Sequence, residues 1–276
     1  MVLVSSAVLL IGLIYLYIEN KAIKVETIPI KLPLMDSAMK GTKIVHLSDL
    51  HFPRQGIVTS RLVKKVKEQG PNAIVFTGDL VQAGRKFPKN KIHDLFSELV
   101  SIAPTYAVTG NHDIVNGKLS DWESVLSDAG VTLLLDEAAW LPINGSGLLM
   151  MGLAEKSDFE MAPKPILKNI KVPKGKEKET KILLAHHPEF LEEYLMDQTR
   201  APDLILSGHA HGGQIRLPYY GGLFAPGQGW LPEYTAGVYY DSDKPDKRMI
   251  VSRGIGNSSF PFRVNNRAEV LVIELK

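Results

Sequence analysis

Cysteine is absent from this chain of 276 residues. Its absence removes disulfides, thiolate nucleophiles and sulfur-rich zinc sites, so any metal must be held by imidazole, carboxylate or amide oxygen. A charge excess of one sign is missing too: 32 basic against 30 acidic residues leave a formal charge of +2. With no dense basic block and no aromatic-basic repeat, a nucleic-acid surface has no support, and no nucleic-acid partner is expected. No internal repeat is visible. What is present is ordinary globular material, 45% hydrophobic and long enough for one sizeable core.

Only the N-terminus is strongly biased. Met1 to Ile18 carries no charged side chain, and only Ser5 and Ser6 interrupt its apolar surface. Roughly 20 apolar residues cross a bilayer as a helix, so this run just reaches the threshold. A cleaved signal peptide is the competing reading, but a positive leading region, a small-x-small cleavage site and a twin-arginine pair are all missing. The expectation is a single-pass anchor in the cell membrane over 1–18, a tether with a first strand near Thr27 to Leu34 within 19–42, and a catalytic domain over 43–276. Lys21, Lys24 and Lys31 follow the run, which under the positive-inside tendency favours the cytoplasmic side for that domain.

Past the tether, short β-like runs alternate with helical periodicity. Strands are expected at 44–47, 73–76, 106–108, 131–135, 148–153, 181–185, 204–206, 249–252 and 270–275. Helices are expected near 59–69, 92–100 and 121–129; Ile92, Leu95, Phe96, Leu99 and Val100 follow the i, i+3, i+4, i+7, i+8 rule most clearly. The lysine-rich stretch from Glu155 to Lys181 reads as an exposed excursion. This alternation implies a layered α/β domain, with ligands at the carboxyl ends of its strands.

Five motifs occupy those strand ends: Asp49-Leu50-His51, Gly78-Asp79, Gly110-Asn111-His112-Asp113, His186-His187 and Gly208-His209-Ala210-His211. In extended chain Asp49 and His51 point the same way and can face one ion. Asp79 after a glycine suits a carboxylate shared between two cations, although Gly-Asp alone usually makes a turn. The Asn111 amide oxygen is a neutral ligand, with a helix-capping turn as the alternative. Asp113 is expected to accept from the His112 ring and orient it. His186 and His187 are adjacent, so in extended chain only one of them faces the site.

The set resembles the calcineurin-like metallophosphoesterases, over roughly residues 43 to 276, with every ligand position filled. The resemblance implies an α+β fold of four layers, a central β-sandwich flanked by helices. It also implies a two-metal centre in which Asp49, His51 and His211 hold the first ion, Asp79 bridges, and Asn111, His186 and His209 complete the second. His186 is thereby chosen over His187, which becomes pocket wall. His112 would act beside the leaving group, with Asp113 orienting it. Gly212-Gly213-Gln214, the stretch from Pro218 to Tyr234 and the run Ser252 to Asn257 resemble the bacterial branch with an N-terminal membrane segment.

The implied reaction is hydrolysis of a phosphoester by a metal-bridging hydroxide attacking phosphorus in line, without a covalent intermediate. Ligation without thiolate suits Mn, Fe or Zn, with Mn favoured. A non-catalytic scaffold of the same fold would show gaps in the ligand set, and there are none. The anchor points to a lipid-linked diester or pyrophosphate. Tyr219, Tyr220, Leu223, Phe224, Trp230 and Leu231 are candidates for an apolar wall, unless they simply pack a loop. Arg216, Arg253 and Arg263 are candidate substrate contacts.

Overall fold

The computed structural model describes residues 2–33, 35–54, 56–115, 117, 119–157, 162–257 and 260–276, with the side chains of residues 2 and 3 left aside. Two six-stranded sheets form its centre. The first contains β1 (Ile23–Ile30), β2 (Lys43–Leu47), β3 (Ala73–Thr77), β4 (Thr105–Val108), β5 (Thr132–Leu133) and the last strand, β16 (Ala268–Leu275), in the order β1-β16-β2-β3-β4-β5. The second contains β6 (Glu137–Ile143), β7 (Ser146–Gly152), β8 (Lys181–Leu184), β9 (Leu204–Ser207), β14 (Gly237–Tyr239) and β15 (Arg248–Val251), in the order β14-β15-β9-β8-β7-β6. Between β9 and β14 lie two small hairpins, β10 (Arg216–Leu217) with β11 (Gly221–Gly222) and β12 (Phe224–Ala225) with β13 (Gly229–Trp230).

Strands β2 to β5 in one sheet and β7, β8, β9 and β15 in the other run parallel, while β16 pairs antiparallel with β2. Parallel strands are covered on both faces, so their sequences read as near-continuous apolar runs. Along β7, Leu148 and Met150 point between the sheets, where they meet Ile44, Val75 and Ile273, while Leu149 and Met151 point outward. The outer face of the first sheet is covered by α2 (Thr59–Lys67), α3 (Lys89–Ile102) and α5 (Leu119–Asp128), through Leu62, Val66, Phe96, Leu99 and Trp122. The short α4 (Asn111–Val115) lies between β4 and α5.

On the outer face of the second sheet the cover is thinner: α6 (Leu191–Tyr194) and the turns around 166–170. Here the expectation of an exposed excursion needs correcting. Ile166, Leu167 and Ile170 are buried against Leu149, Leu183 and Ile205, because that sheet face has little helix to cover it. Residues 158–161 of the excursion, and Leu34 at the end of the expected first strand, lie outside the described residues.

The N-terminal helix α1 (Val2–Lys21) is apolar and long enough to cross a membrane, and its window from Val4 to Lys21 is only 6% buried. It runs past the charged Glu19, and β1 begins two residues after it, earlier than the first strand expected near 27–34. β1 is placed there by its partner: Ile23 to Ile30 pair in parallel with Ala268 to Leu275.

Phe96 is fully buried and meets Phe76 edge-on, with ring centroids 5.5 Å apart. Phe96→Ala should therefore cost about 3–5 kcal/mol, from lost burial plus the cavity it leaves. Urea denaturation followed by circular dichroism measures this; a loss below about 1 kcal/mol would mean that α3 does not pack as described.

Candidate metal centre

Every motif lies at the carboxyl end of a strand, Asp49 and His51 past β2, Asp79 past β3, Asn111 past β4, His186 past β8, and His209 and His211 past β9. The backbone there turns sharply. Asp49, His51, Asp79, His209 and His211 all have left-handed φ, between 47° and 66°. Each such non-glycine residue costs about 1 kcal/mol or more and persists only where its surroundings over-determine it. Asp49 and His51 therefore converge through turns, and the expected extended alternation does not apply.

Two groups of donors result. Asp49, His51, Asp79 and His211 form one, and Asp79, His186 and His209 the other, with donor atoms in each within 4.8 Å of one another. In the first, His51 Nε2 lies 3.0 Å from His211 Nε2 and 3.3 Å from Asp79 Oδ2, and His211 Nε2 lies 3.5 Å from Asp49 Oδ1. In the second, His186 Nε2 lies 3.4 Å from Asp79 Oδ2, 3.1 Å from Asn111 Oδ1 and 3.2 Å from His209 Nδ1. Imidazole nitrogens and carboxylate and amide oxygens clustered like this fit divalent cations. The Thr77 carbonyl accepts from His186 Nδ1 at 2.7 Å, which fixes the ring with Nε2 facing the cluster.

The electrostatics of Asp79, His209 and His211 suit ligation. Burial opposes charge on Asp79, but His186 and His51 outweigh it and hold the carboxyl well below its usual range. Burial and neighbouring imidazoles hold His209 and His211 well below their ordinary value, as free bases. His186 goes the other way: burial disfavours its charge, yet Asp79 and Asp49 raise it well above, so a cation at Nε2 competes with a proton.

Close packing of backbone makes this possible. A Cβ on Gly78 (φ 93°) would lie 2.6 Å from Gly110 N, and one on Gly110 would lie 2.5 Å from Asp79 N. Asp113 ties the same loops together, accepting from the N–H groups of Asp79, Leu80 and Gly110 at 2.9 Å and of Val81 at 3.3 Å. This corrects the role expected of Asp113. It does not orient the His112 ring, because its oxygens are spent on four backbone donors. His112 is held instead by the Ala83 N–H, which donates to Nδ1 at 3.1 Å, with Gln82 Nε2 at 3.2 Å. Its proton then sits on Nε2, 4.0 Å from Asp79 Oδ2, and burial lowers its pKa.

None of the three candidate arginines joins the cluster. Arg263 is a correction: it is 1% exposed, and its guanidinium donates to Asn257 Oδ1 and to the carbonyls of Arg253, Gly256 and Asn266, beside His211 Nδ1. Arg216 donates to the Gly212 carbonyl and Thr235, and Arg253 pairs with Glu269 at 3.4 Å.

Two residues escaped sequence reasoning. Glu155 and Glu189 flank His187, each with a carboxylate oxygen 3.0 Å from one ring nitrogen. Burial opposes charge on His187, but the two carboxylates win and push it up to about 9. Its ring lies 4.1 Å from that of His209, on the wall of a cavity of about 550 Å³ that Asn111 also lines. The one available signal was Glu189, three residues past His186 in a turn.

A scan of family models matches residues 42–213 to the calcineurin-like phosphoesterases. The chain is 30% identical to a phosphodiesterase, YaeI, of Escherichia coli over 84% of this chain and 82% of that protein. It is 28% identical to the uncharacterized metallophosphoesterase YkuE of Bacillus subtilis, over 94% and 88% of the two chains. Among solved structures, TT1561 of Thermus thermophilus superposes with a TM-score of 0.50 at 16% identity, covering 78% of this chain and 91% of that one, a likeness of fold.

Removing the four-donor clasp with Asp113→Ala should cost about 3 kcal/mol or more in thermal or urea unfolding, since buried N–H groups lose their acceptor. A variant of unchanged stability with an altered pH–rate profile would restore the orienting role. His187→Gln gives a pH-dependent result. A histidine raised from an ordinary 6.5 to about 9 contributes stability that is full below pH 6.5 and lost as pH rises through 9. The variant should therefore be destabilised by at most roughly 3 kcal/mol near pH 6, with the gap closing by pH 10, as read from melts across that range.

Proposed function

The chain belongs to the calcineurin-like phosphoesterase family and is a metal-dependent phosphohydrolase, and from this premise we propose that it hydrolyses a phosphodiester or pyrophosphate at a dinuclear centre. Asp49, His51, Asp79 and His211 hold one divalent ion, and Asp79, Asn111, His186 and His209 hold the other. The observation that carries this reading is that the two donor clusters share one carboxylate, Asp79. Two such ions, when bound, supply an acidified water for in-line attack on phosphorus and offset the charge that develops on the phosphoryl oxygens.

The protein's own groups do the rest. His112, a neutral ring fixed through Nδ1, donates from Nε2 to a phosphoryl or leaving oxygen as charge builds there. Asp113 holds the loops carrying Asp79 and Asn111 at fixed separation. The charged His187 closes one wall and fixes the His209 ring by packing against it. Manganese is the favoured metal, since imidazole, carboxylate and amide oxygen without thiolate suit it. The name of the E. coli relative supports a diester over a monoester. With α1 as a single-pass anchor, the substrate is lipid-linked, and Lys21, Lys24 and Lys31 favour the cytoplasmic surface. A zebrafish relative, 27% identical, is called a transmembrane protein with a metallophosphoesterase domain.

Full-length protein loaded with Mn²⁺ should carry two ions per chain by plasma mass spectrometry and hydrolyse bis(4-nitrophenyl) phosphate. Asp79→Ala should lose both ions and lower turnover by more than about 100-fold, beyond what losing a supporting residue does. Unchanged turnover in folded Asp79→Ala protein would overturn the proposal.

A further inference from the structure

The last turns of α1 are fastened to the catalytic domain. Tyr15 Oη donates to Asn265 Oδ1 at 2.6 Å and accepts from Asn265 N at 3.0 Å. Asn20 exchanges hydrogen bonds with the backbone of Arg263, Arg267 Nε lies 3.0 Å from Glu19 Oε2, and Lys21 Nζ donates to the Gly56 carbonyl. These contacts set a depth. A helix of 20 residues is about 30 Å long, which is the thickness of a bilayer's hydrocarbon core. Tyr15 lies six residues, about 9 Å, before the end of α1, so if α1 spans, no length is left for a stand-off and the loop hydrogen-bonded to Tyr15 is drawn into the headgroup layer.

The surface around that loop is unusual for one facing water. Residues 217 to 232 contain no charged side chain. Tyr219 and Tyr220, Trp230 at 73% and Leu231 at 62% exposure are not packed into the loop, and Phe260 and Phe262 stand out beside them. Backbone links this rim to the α1 contact, since Arg216 N donates to the Val264 carbonyl and Asn265 Nδ2 to the Arg216 carbonyl. Exposed tyrosine and tryptophan are the residues that favour the headgroup layer. Between Phe224, Trp230 and Phe260 an apolar groove of about 440 Å³ runs in to Gly213 and Gln214, two and three residues past His211.

We propose that the face formed by residues 217–231 and 260–265 docks into the headgroup layer of the bilayer that α1 spans, with the groove taking a hydrocarbon chain of a membrane lipid. This rests on the reading of α1 as an anchor and narrows the lipid-linked substrate to one drawn sideways from the membrane. Helix and rim then act as two attachments, which fix the domain's orientation and turn the metal centre's edge toward lipid phosphates.

The test uses the full chain in vesicles of phosphatidylethanolamine and phosphatidylglycerol, with or without bromine on the acyl chains, and an alkaline wash as a separate measure of α1 insertion. Trp122 is buried and Trp140 lies under Lys176, which leaves Trp230 as the exposed reporter. Brominated lipid should quench the wild-type emission and leave that of Trp230→Phe unchanged. Tyr219→Ser with Leu231→Ser should slow turnover of a vesicle-embedded phospholipid at least tenfold, with bis(4-nitrophenyl) phosphate turnover unaltered. Quenching in a chain that the wash removes supports the rim contact while the anchor fails. An unquenched Trp230 in a chain that resists the wash overturns the docking and leaves the anchor standing; a doubled mass in detergent would then identify a second copy as the groove's occupant.

Discussion

Much of this molecule is arranged around one carboxylate that two groups of ligands share. Asp79 can reach both His51 and His186 only because the chain reverses sharply at Gly78 and continues with Asp79 itself in a left-handed conformation. That reversal needs the backbone of Gly110 pressed against it, with no Cβ between them. It also needs Asp113, whose carboxylate gathers four N–H groups that the turn would otherwise leave buried without acceptors. One geometric demand thus explains two glycines and a buried acid, none of which needs to touch a metal.

The strain of five left-handed residues is tolerable because they hang from stiff supports. β2, β3 and β4 in one sheet and β8 and β9 in the other are buried on both faces, so neither register nor twist can relax to relieve the turns. The two sheets deliver different donor residues to one edge of the sandwich, Asp49, His51, Asp79 and Asn111 from the first and His186, His209 and His211 from the second. Packing between the sheets, through residues such as Val75, Leu184 and Leu206, therefore sets the distance between the half-sites. Charge follows the same logic: Asp79 is kept ionised and His209 and His211 neutral, the states in which each can ligate.

Beside the same cluster, α1 meets the domain through Asn20 at the Arg263 backbone, and Arg263 and Asn266 in turn contact His211. Arg263 is the joint. Its backbone holds Asn20 of the helix while its guanidinium ties the 253–257 stretch to Asn266 and lies 3.3 Å from His211 Nδ1. A residue that reads in the sequence as a substrate contact is instead what connects α1 to the cluster, and hydrogen bonds to several carbonyls hold it there.

By itself the sequence determined the chemistry and the layering. Each metal-type residue follows a short apolar run that reads as a buried strand, and the periodicity of 92–100 reads as a helix against it. Local pattern could not supply the partners that decide orientation. That Ala83 holds His112, that Glu155 faces His187 and that β1 begins at Ile23 all depend on residues tens to hundreds of positions away. The same holds for Ile166 and Leu167, read as exposed from their lysine-rich neighbourhood and buried because a bare sheet face lay above them. The residue types and strand-end positions were local facts, while hydrogen-bond pairing and burial were settled only when the two sheets closed on each other.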